Sequence, residues 1–282
     1  MLRAVDNTAQ AKDTGTDQRE PTRVRLAAVG DLHCGRCSPE SMHALLQRAA
    51  TDAEVLLLCG DLVDHGLPEE ARTLARELAT IGTPTVAVLG NHDVEAGKEA
   101  EIVAILADVG VHVLDGDSIT LRGVGIAGVK GFAGGFGAHA LGAWGEAAIK
   151  TFVHEAVQEA LKLEAALSRL NGGPRVAVLH YSPIAATLQG EATEIYPFLG
   201  SSRLEEPLNR FGVDMVFHGH AHGGAPEGRT AVGVPVFNVS MPVLERAFPD
   251  RSPVRVVEIE VPDLAAASGA AVTTAPAIAE GG

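Results

Sequence analysis

The stretch Phe217-His218-Gly219-His220-Ala221-His222-Gly223 decides how this chain is read. Three histidines alternate with two small residues, just after the apolar run Val213-Asp214-Met215-Val216. A strand opening into a turn would put His220 and His222 at a sheet's edge, free to bend toward one point. Imidazole is the commonest protein metal ligand, and a pair at this spacing needs further donors to complete a shell.

Four earlier clusters can supply them: Gly30-Asp31-Leu32-His33, Gly60-Asp61-Leu62-Val63-Asp64, Gly90-Asn91-His92-Asp93 and Leu179-His180. Each follows an apolar run rich in β-branched residues: Val24 to Val29, Val55 to Cys59, Val86 to Leu89 and Val176 to Leu179. Any one cluster alone is a weak signal. Five in series, each after a predicted strand, require chance to repeat both chemistry and context.

The ordered set D-x-H, GD-x-x-D, GNH-D, a lone H and GH-x-H closely resembles the calcineurin-like metallophosphoesterase superfamily. The motifs span Gly30 to His222, and no ligand position is missing. The resemblance implies an α/β fold, a four-layer sandwich of two mixed β-sheets flanked by helices, with the metal site at the strands' carboxyl ends. It also implies two transition-metal ions, with Asp31, His33, Asp61 and His222 on one. Asp61 as bridge, Asn91, His180 and His220 would hold the other. Mixed oxygen and nitrogen donors suit Mn, Fe, Co or Zn better than an all-oxygen calcium cage. By the same resemblance His92 is the general acid or a transition-state hydrogen-bond donor, and the Asp64 carboxylate orients it. The implied activity is phosphoester hydrolysis, leaning to small phosphodiesters such as cyclic nucleotides. Phosphomonoester hydrolysis, a nuclease and a non-catalytic metal-binding scaffold are the competing readings.

Composition narrows the partners. The chain has 282 residues and a net charge of −14, which repels a nucleic-acid backbone. The partner the resemblance implies is then a small phosphate ester. Hydrophobic residues make up 46% but aromatics only 4%, so the core must be built from Val, Leu, Ile and Ala. Met1 to Glu20 is polar and lacks an apolar h-region, so no signal peptide is expected. No apolar stretch is long and unbroken enough to span a bilayer. The expected location is the cytoplasm, and no feature fixes an oligomeric state.

Residues 1–22 read as a disordered leader, 23–261 as the metallophosphoesterase domain and 262–282 as a flexible tail rich in Ala, Thr and Pro. Ser38-Pro39 opens one helix and Pro68 a second, each after a strand, which predicts a largely parallel sheet. Val111–Leu114, Ser118–Leu121 and Val124–Gly128 read as a meander of short strands. A long helix is predicted over Glu146–Asn171 and a short one over Leu204–Phe211. Val234–Val239 and Val254–Val261 are expected to close a second sheet.

Several residues carry bland readings beside functional ones. Asp93 caps the next helix, and His218 is packing or support behind the site. Cys34-Gly35-Arg36-Cys37 is either a redox pair, a zinc half-site or two thiols on a loop. The glycine-rich run from Lys130 to Trp144 lacks the G-K-S/T ending of a phosphate loop. It is expected either to lie over the metals, with Lys130, Phe136, His139 and Trp144 near substrate, or to be a packed surface loop.

Overall fold

The structure is a computed structural model and describes residues 22–36 and 38–262. The expected leader and tail lie outside these residues, except that Thr22 already belongs to the first strand and Pro262 follows the last. Cys37 also lies outside them.

Two mixed sheets form the frame. In the first, β1 (Thr22–Val29), β2 (Val55–Cys59), β3 (Thr85–Val88) and β4 (Val111–Val113) run parallel in that order. The second has the order β5 (Asp117–Leu121), β6 (Val124–Gly128), β7 (Arg175–Val178), β8 (Met215–His218), β10 (Pro235–Asn238), β9 (Glu227–Arg229). Its four central strands are parallel, and its two edge strands are antiparallel to their neighbours. The last strand, β11 (Arg255–Val261), pairs antiparallel with β1.

Side-chain alternation along each strand builds the layers. On β2, Val55, Leu57 and Cys59 face the second sheet, while Leu56 and Leu58 face the helices. The period of two thus buries both faces of the sheet, which is why the run is apolar throughout. Helices α1 (Pro39–Asp52), α2 (Pro68–Leu78) and α3 (Glu99–Ala107) cover the first sheet. The second is covered by α4 (Ala147–Ser168), with α6 (Glu205–Arg210) beside it. Ser38 caps α1 as expected, accepting from Ser41 N at 3.2 Å, with Pro39 in the first turn. The one-turn α5 (Tyr196–Leu199) and the short α7 (Met241–Ala247) complete the set. No helix among the described residues is long and apolar enough to cross a membrane.

Two expectations need correction. The three short strands after α3 are not one meander. Leu114 N donates to Ala87 O in the first sheet, while Gly116 N donates to Gly128 O in the second. The turn at Gly116, with φ at 81°, therefore carries the chain from one sheet to the other. The final strand does not close the second sheet either; it pairs with β1 along seven residues, Thr22↔Val261 to Ala28↔Arg255. Alternation marks a strand but does not name its partner. Strand β9 and helices α3 and α7 were not legible, since α3 is apolar on most faces and the other two are short.

Phe217 is the largest fully buried side chain and lies in the cluster between the sheets, stacked on Phe237 at 5.4 Å. Phe217→Ala should cost ~3–5 kcal/mol of stability, read as a lower denaturation midpoint with unchanged slope. A loss below about 1 kcal/mol would show that the sheets close without it.

Candidate metal centre

The site is built from five loops at the carboxyl ends of β1, β2, β3, β7 and β8. Parallel pairing brings three of these ends together in one sheet and two in the other. Backbone hydrogen bonds then lock the loops to each other. Asp31 N donates to Gly60 O at 2.9 Å and His33 N to Asp61 O at 3.0 Å. Between the sheets, Gly30 N reaches Val239 O at 2.8 Å.

All seven expected ligands converge. Asp31, His33 and His222 form one group, and Asp61, His180 and His220 another, the donor atoms of each lying within 4.8 Å of one another. His33, Asp61 and His92 form a third group that overlaps both. Asp61 thus faces both ends of the site, where a bridging carboxylate must stand. Asn91 joins the second group, its Oδ1 3.0 Å from His180 Nε2.

Tautomers show what the pit is made for. His180 Nδ1 donates to the Cys59 carbonyl at 2.9 Å, so Nε2 of the neutral ring is a bare lone pair. That lone pair meets Asn91 Oδ1 at 3.0 Å and Asp61 Oδ1 at 3.3 Å, two further oxygen acceptors. His220 Nε2 donates to the Phe198 carbonyl at 3.2 Å, which leaves Nδ1 as its lone pair. His33 is buried, and neither of its ring nitrogens makes a hydrogen bond. Converging lone pairs repel unless a cation joins them, so this donor set fits a dinuclear metal centre.

Electrostatics agree. Burial pushes His33 and His180 down to about 4 and His220 to about 3, so all three are neutral and ready to ligate. Burial, and then the charge of Asp31, pushes Asp61 up to about 7. A cation at the bridge would reverse that push. Asp31 accepts from His222 Nε2 at 2.9 Å, and that hydrogen bond raises His222. It also accepts from His220 N at 3.0 Å, which pins the last loop to the first.

The backbone is bent to achieve this. Five non-glycine residues among those described have positive φ, and four are Asp31, His33, Asp61 and His220. Such conformations cost ~1–3 kcal/mol each and persist where surrounding contacts over-determine them. Gly60 and Gly90 matter for a different reason. A methyl at Gly60 would strike the His180 ring, and one at Gly90 would strike the Asp61 carboxylate.

His92 stands beside the clusters, its ring 4.7 Å edge-on from His33. Its Nδ1 donates to the Asp64 backbone carbonyl at 2.8 Å, leaving Nε2 for the site. The expectation that the Asp64 carboxylate orients His92 is therefore corrected. That carboxylate lies 3.2 Å from His33 Nδ1 and 2.6 Å from Arg36 Nε. Asp93 is no helix cap. It is fully buried and accepts from Leu62 N, Val63 N and Gly90 N at 3.2, 2.9 and 2.7 Å. It thereby ties the third loop to the second, and burial, with the nearby charge of Asp61, pushes it up to about 7. The lone signal for it was a carboxylate in a glycine-bearing loop, which suits a cap equally well.

His218 is support, donating from Nδ1 to Gly219 O at 2.8 Å and meeting Thr187 Oγ1 at 2.9 Å through Nε2. Arg246 was not foreseen. Its guanidinium clamps the carbonyls of His222 and Gly224 at 3.0 and 2.8 Å. Cys34 is buried beside His33, but the Cys34–Cys37 pair lies partly outside the described residues.

Gly90→Ala should lower metal affinity by ~10-fold or more while removing no ligand, because it displaces Asp61. Calorimetric titration with Mn²⁺ checks this; wild-type affinity in the variant would show that the Asp61 position is not what holds the ions.

A family model described as calcineurin-like phosphoesterase matches residues 24–224. No curated protein sequence matches the chain. Among solved structures, the phosphopantetheinyl hydrolase (PptH) from Mycobacterium tuberculosis is similar with a TM-score of 0.59 at 18% identity. That match covers 84% of this chain and 96% of that one. The protein TT1561 of Thermus thermophilus is similar with a TM-score of 0.50 at 15% identity, covering 85% and 99%. These likenesses carry the fold, and the family match spans all the loops that carry the clusters. The chain belongs to the calcineurin-like phosphoesterase family.

Proposed function

We propose that this phosphoesterase hydrolyses small phosphodiesters at a two-metal centre with Asp61 as the bridge, using Mn, Fe, Co or Zn. The observation that carries the reading is Asp61, shared between the donor groups of His33 and of His180 and His220. Two cations held there would polarise a phosphoryl oxygen and supply an acidified water as nucleophile near neutral pH. The chain's own residues do the rest. Asp31, His33 and His222 hold one side, and Asn91, His180 and His220 the other, so the phosphate is oriented between two fixed walls.

His92 is the proton donor. Its Nδ1 is occupied by the Asp64 carbonyl, so the proton delivered to the leaving oxygen sits on Nε2 of the imidazolium. Asp64 acts through its carbonyl on His92 and through its carboxylate on His33. The diester preference is supported by charge. A monoester carries about two negative charges and a diester one, and a chain of net −14 repels the former more.

Reconstituted with Mn²⁺, the protein should hold two ions per chain by elemental analysis, and Asp61→Asn should weaken both sites together. One ion at saturation, or full occupancy in that variant, overturns the bridge. Its kcat/KM for bis(4-nitrophenyl) phosphate should exceed that for 4-nitrophenyl phosphate; the reverse order establishes a monoesterase. No turnover of either ester, with both ions bound, establishes a scaffold.

His92→Ala should keep both metals yet lose ~10²–10⁴-fold in kcat on a diester with an alkyl leaving group. The loss should shrink for a nitrophenyl leaving group, which needs little protonation. Equal losses on both esters would assign His92 to the nucleophile's side of the reaction.

A further inference from the structure

Six of the eleven aromatic residues of this chain lie in two segments beside the metal centre. Phe132, Phe136 and Trp144 are on the loop 131–144, and Tyr181, Tyr196 and Phe198 are on the segment 181–203. Phe132 and Tyr181 pack into the core behind the second sheet, and Phe136 and Tyr196 onto a small cluster, whereas Phe198 and Trp144 stay exposed.

The two segments are stitched together. Gly134 N donates to Pro197 O at 2.7 Å, Gly135 N to Gly200 O at 2.9 Å and Ser202 N to Gly135 O at 3.1 Å. They are also stitched to the site. The Phe198 carbonyl holds His220 Nε2, and the Tyr181 ring lies 4.3 Å from the His220 ring. Phe136 and Tyr196 pack on a small cluster of Leu188, Leu199 and Ala221, the last being the residue between the two ligand histidines. Lys130 is spent on the same wall, its Nζ 5.1 and 5.3 Å from the rings of Phe132 and Tyr181.

A wall tied down by this many bonds still leaves large apolar side chains bare. Phe198 is 60% exposed, Ile195 40% and Trp144 67%. An exposed apolar side chain on the segment that holds His220 has a natural occupant: the part of the substrate that does not react. Resting on the phosphodiesterase reading, we infer that this wall binds an aromatic or apolar ester group of the substrate, with Phe198 as the residue that selects it. The Phe198 carbonyl on His220 starts this side chain beside a candidate ligand, which is what brings it within reach of an ester group whose phosphorus lies at the metals. That carbonyl survives any side-chain substitution, so selection can be separated from the metal site.

The test uses the full chain reconstituted with Mn²⁺ and two diesters with one leaving group, 4-nitrophenyl phenyl phosphate and 4-nitrophenyl methyl phosphate. Calorimetry with phenylphosphonate and methylphosphonate gives binding without turnover. Wild type should prefer the phenyl member of each pair by ~10-fold, and Phe198→Ala should bring each ratio to within about twofold of unity. Phe198→Leu, which keeps apolar area, should retain part of the preference, and Ile195→Ala tests the neighbouring surface. Cleavage of both diesters with no phenyl preference, or a preference intact in Phe198→Ala, overturns this inference and leaves the hydrolase reading standing. Cleavage of neither, with the phenylphosphonate preference intact and lost in Phe198→Ala, overturns the hydrolase reading instead.

Discussion

The charge of Asp31 bears on the Asp61 carboxylate inside a buried pit, and much of the molecule answers that repulsion. Without a cation, burial and this neighbour hold Asp61 at about 7. Around the pair stand histidines whose tautomers are fixed from behind by carbonyls, of Cys59 for His180 and of Phe198 for His220. Each carbonyl takes the one ring proton and turns a lone pair inward. The pit is thus rich in acceptors, and such a collection is stable when cations fill it. The same binding free energy can then offset the strain of four candidate-ligand residues with positive φ, on three loops.

That arrangement needs stiff supports on both sides, and the two sheets provide them. Ligands come from three strand ends of one sheet and two of the other, so the sheets must not slide. The cluster between them, with Phe217 next to the His220 loop, sets their spacing. Direct ties then fix the loops: Gly30 to Val239, His220 N to Asp31, and the Asp93 carboxylate across Leu62, Val63 and Gly90. Asp93 shows how a residue with no place in the chemistry can set its geometry. It spends a buried carboxylate on three amides that would otherwise lack partners.

Aromatic side chains are unevenly placed. The sheets interlock mainly through Val, Leu and Ile, with the Phe217–Phe237 stack among them. Six of the eleven rings lie on the segments 131–144 and 181–203. The latter interrupts the crossover from β7 to β8, and its length is what lets the chain reach over His220 before returning to the sheet.

The sequence by itself determined the candidate ligands, the strands that carry them and the order of the loops. Those features are local: an apolar run of period two, a glycine where the chain must turn, and a side chain able to bind a cation. The first and second β-loop-α units were legible to within a few residues for that reason. What only tertiary structure decided was pairing and aim. The strand at Val111 and the one at Ser118 read alike, yet a turn at Gly116 sends them to different sheets. Val254–Val261 read as a strand, but only the free edge of β1 made it part of the first sheet. Asp64 stands at its expected position, while its carboxylate turns to His33 and Arg36 and its carbonyl to His92. A sequence fixes which atoms a residue offers; which of them faces the site depends on neighbours brought in from distant parts of the chain.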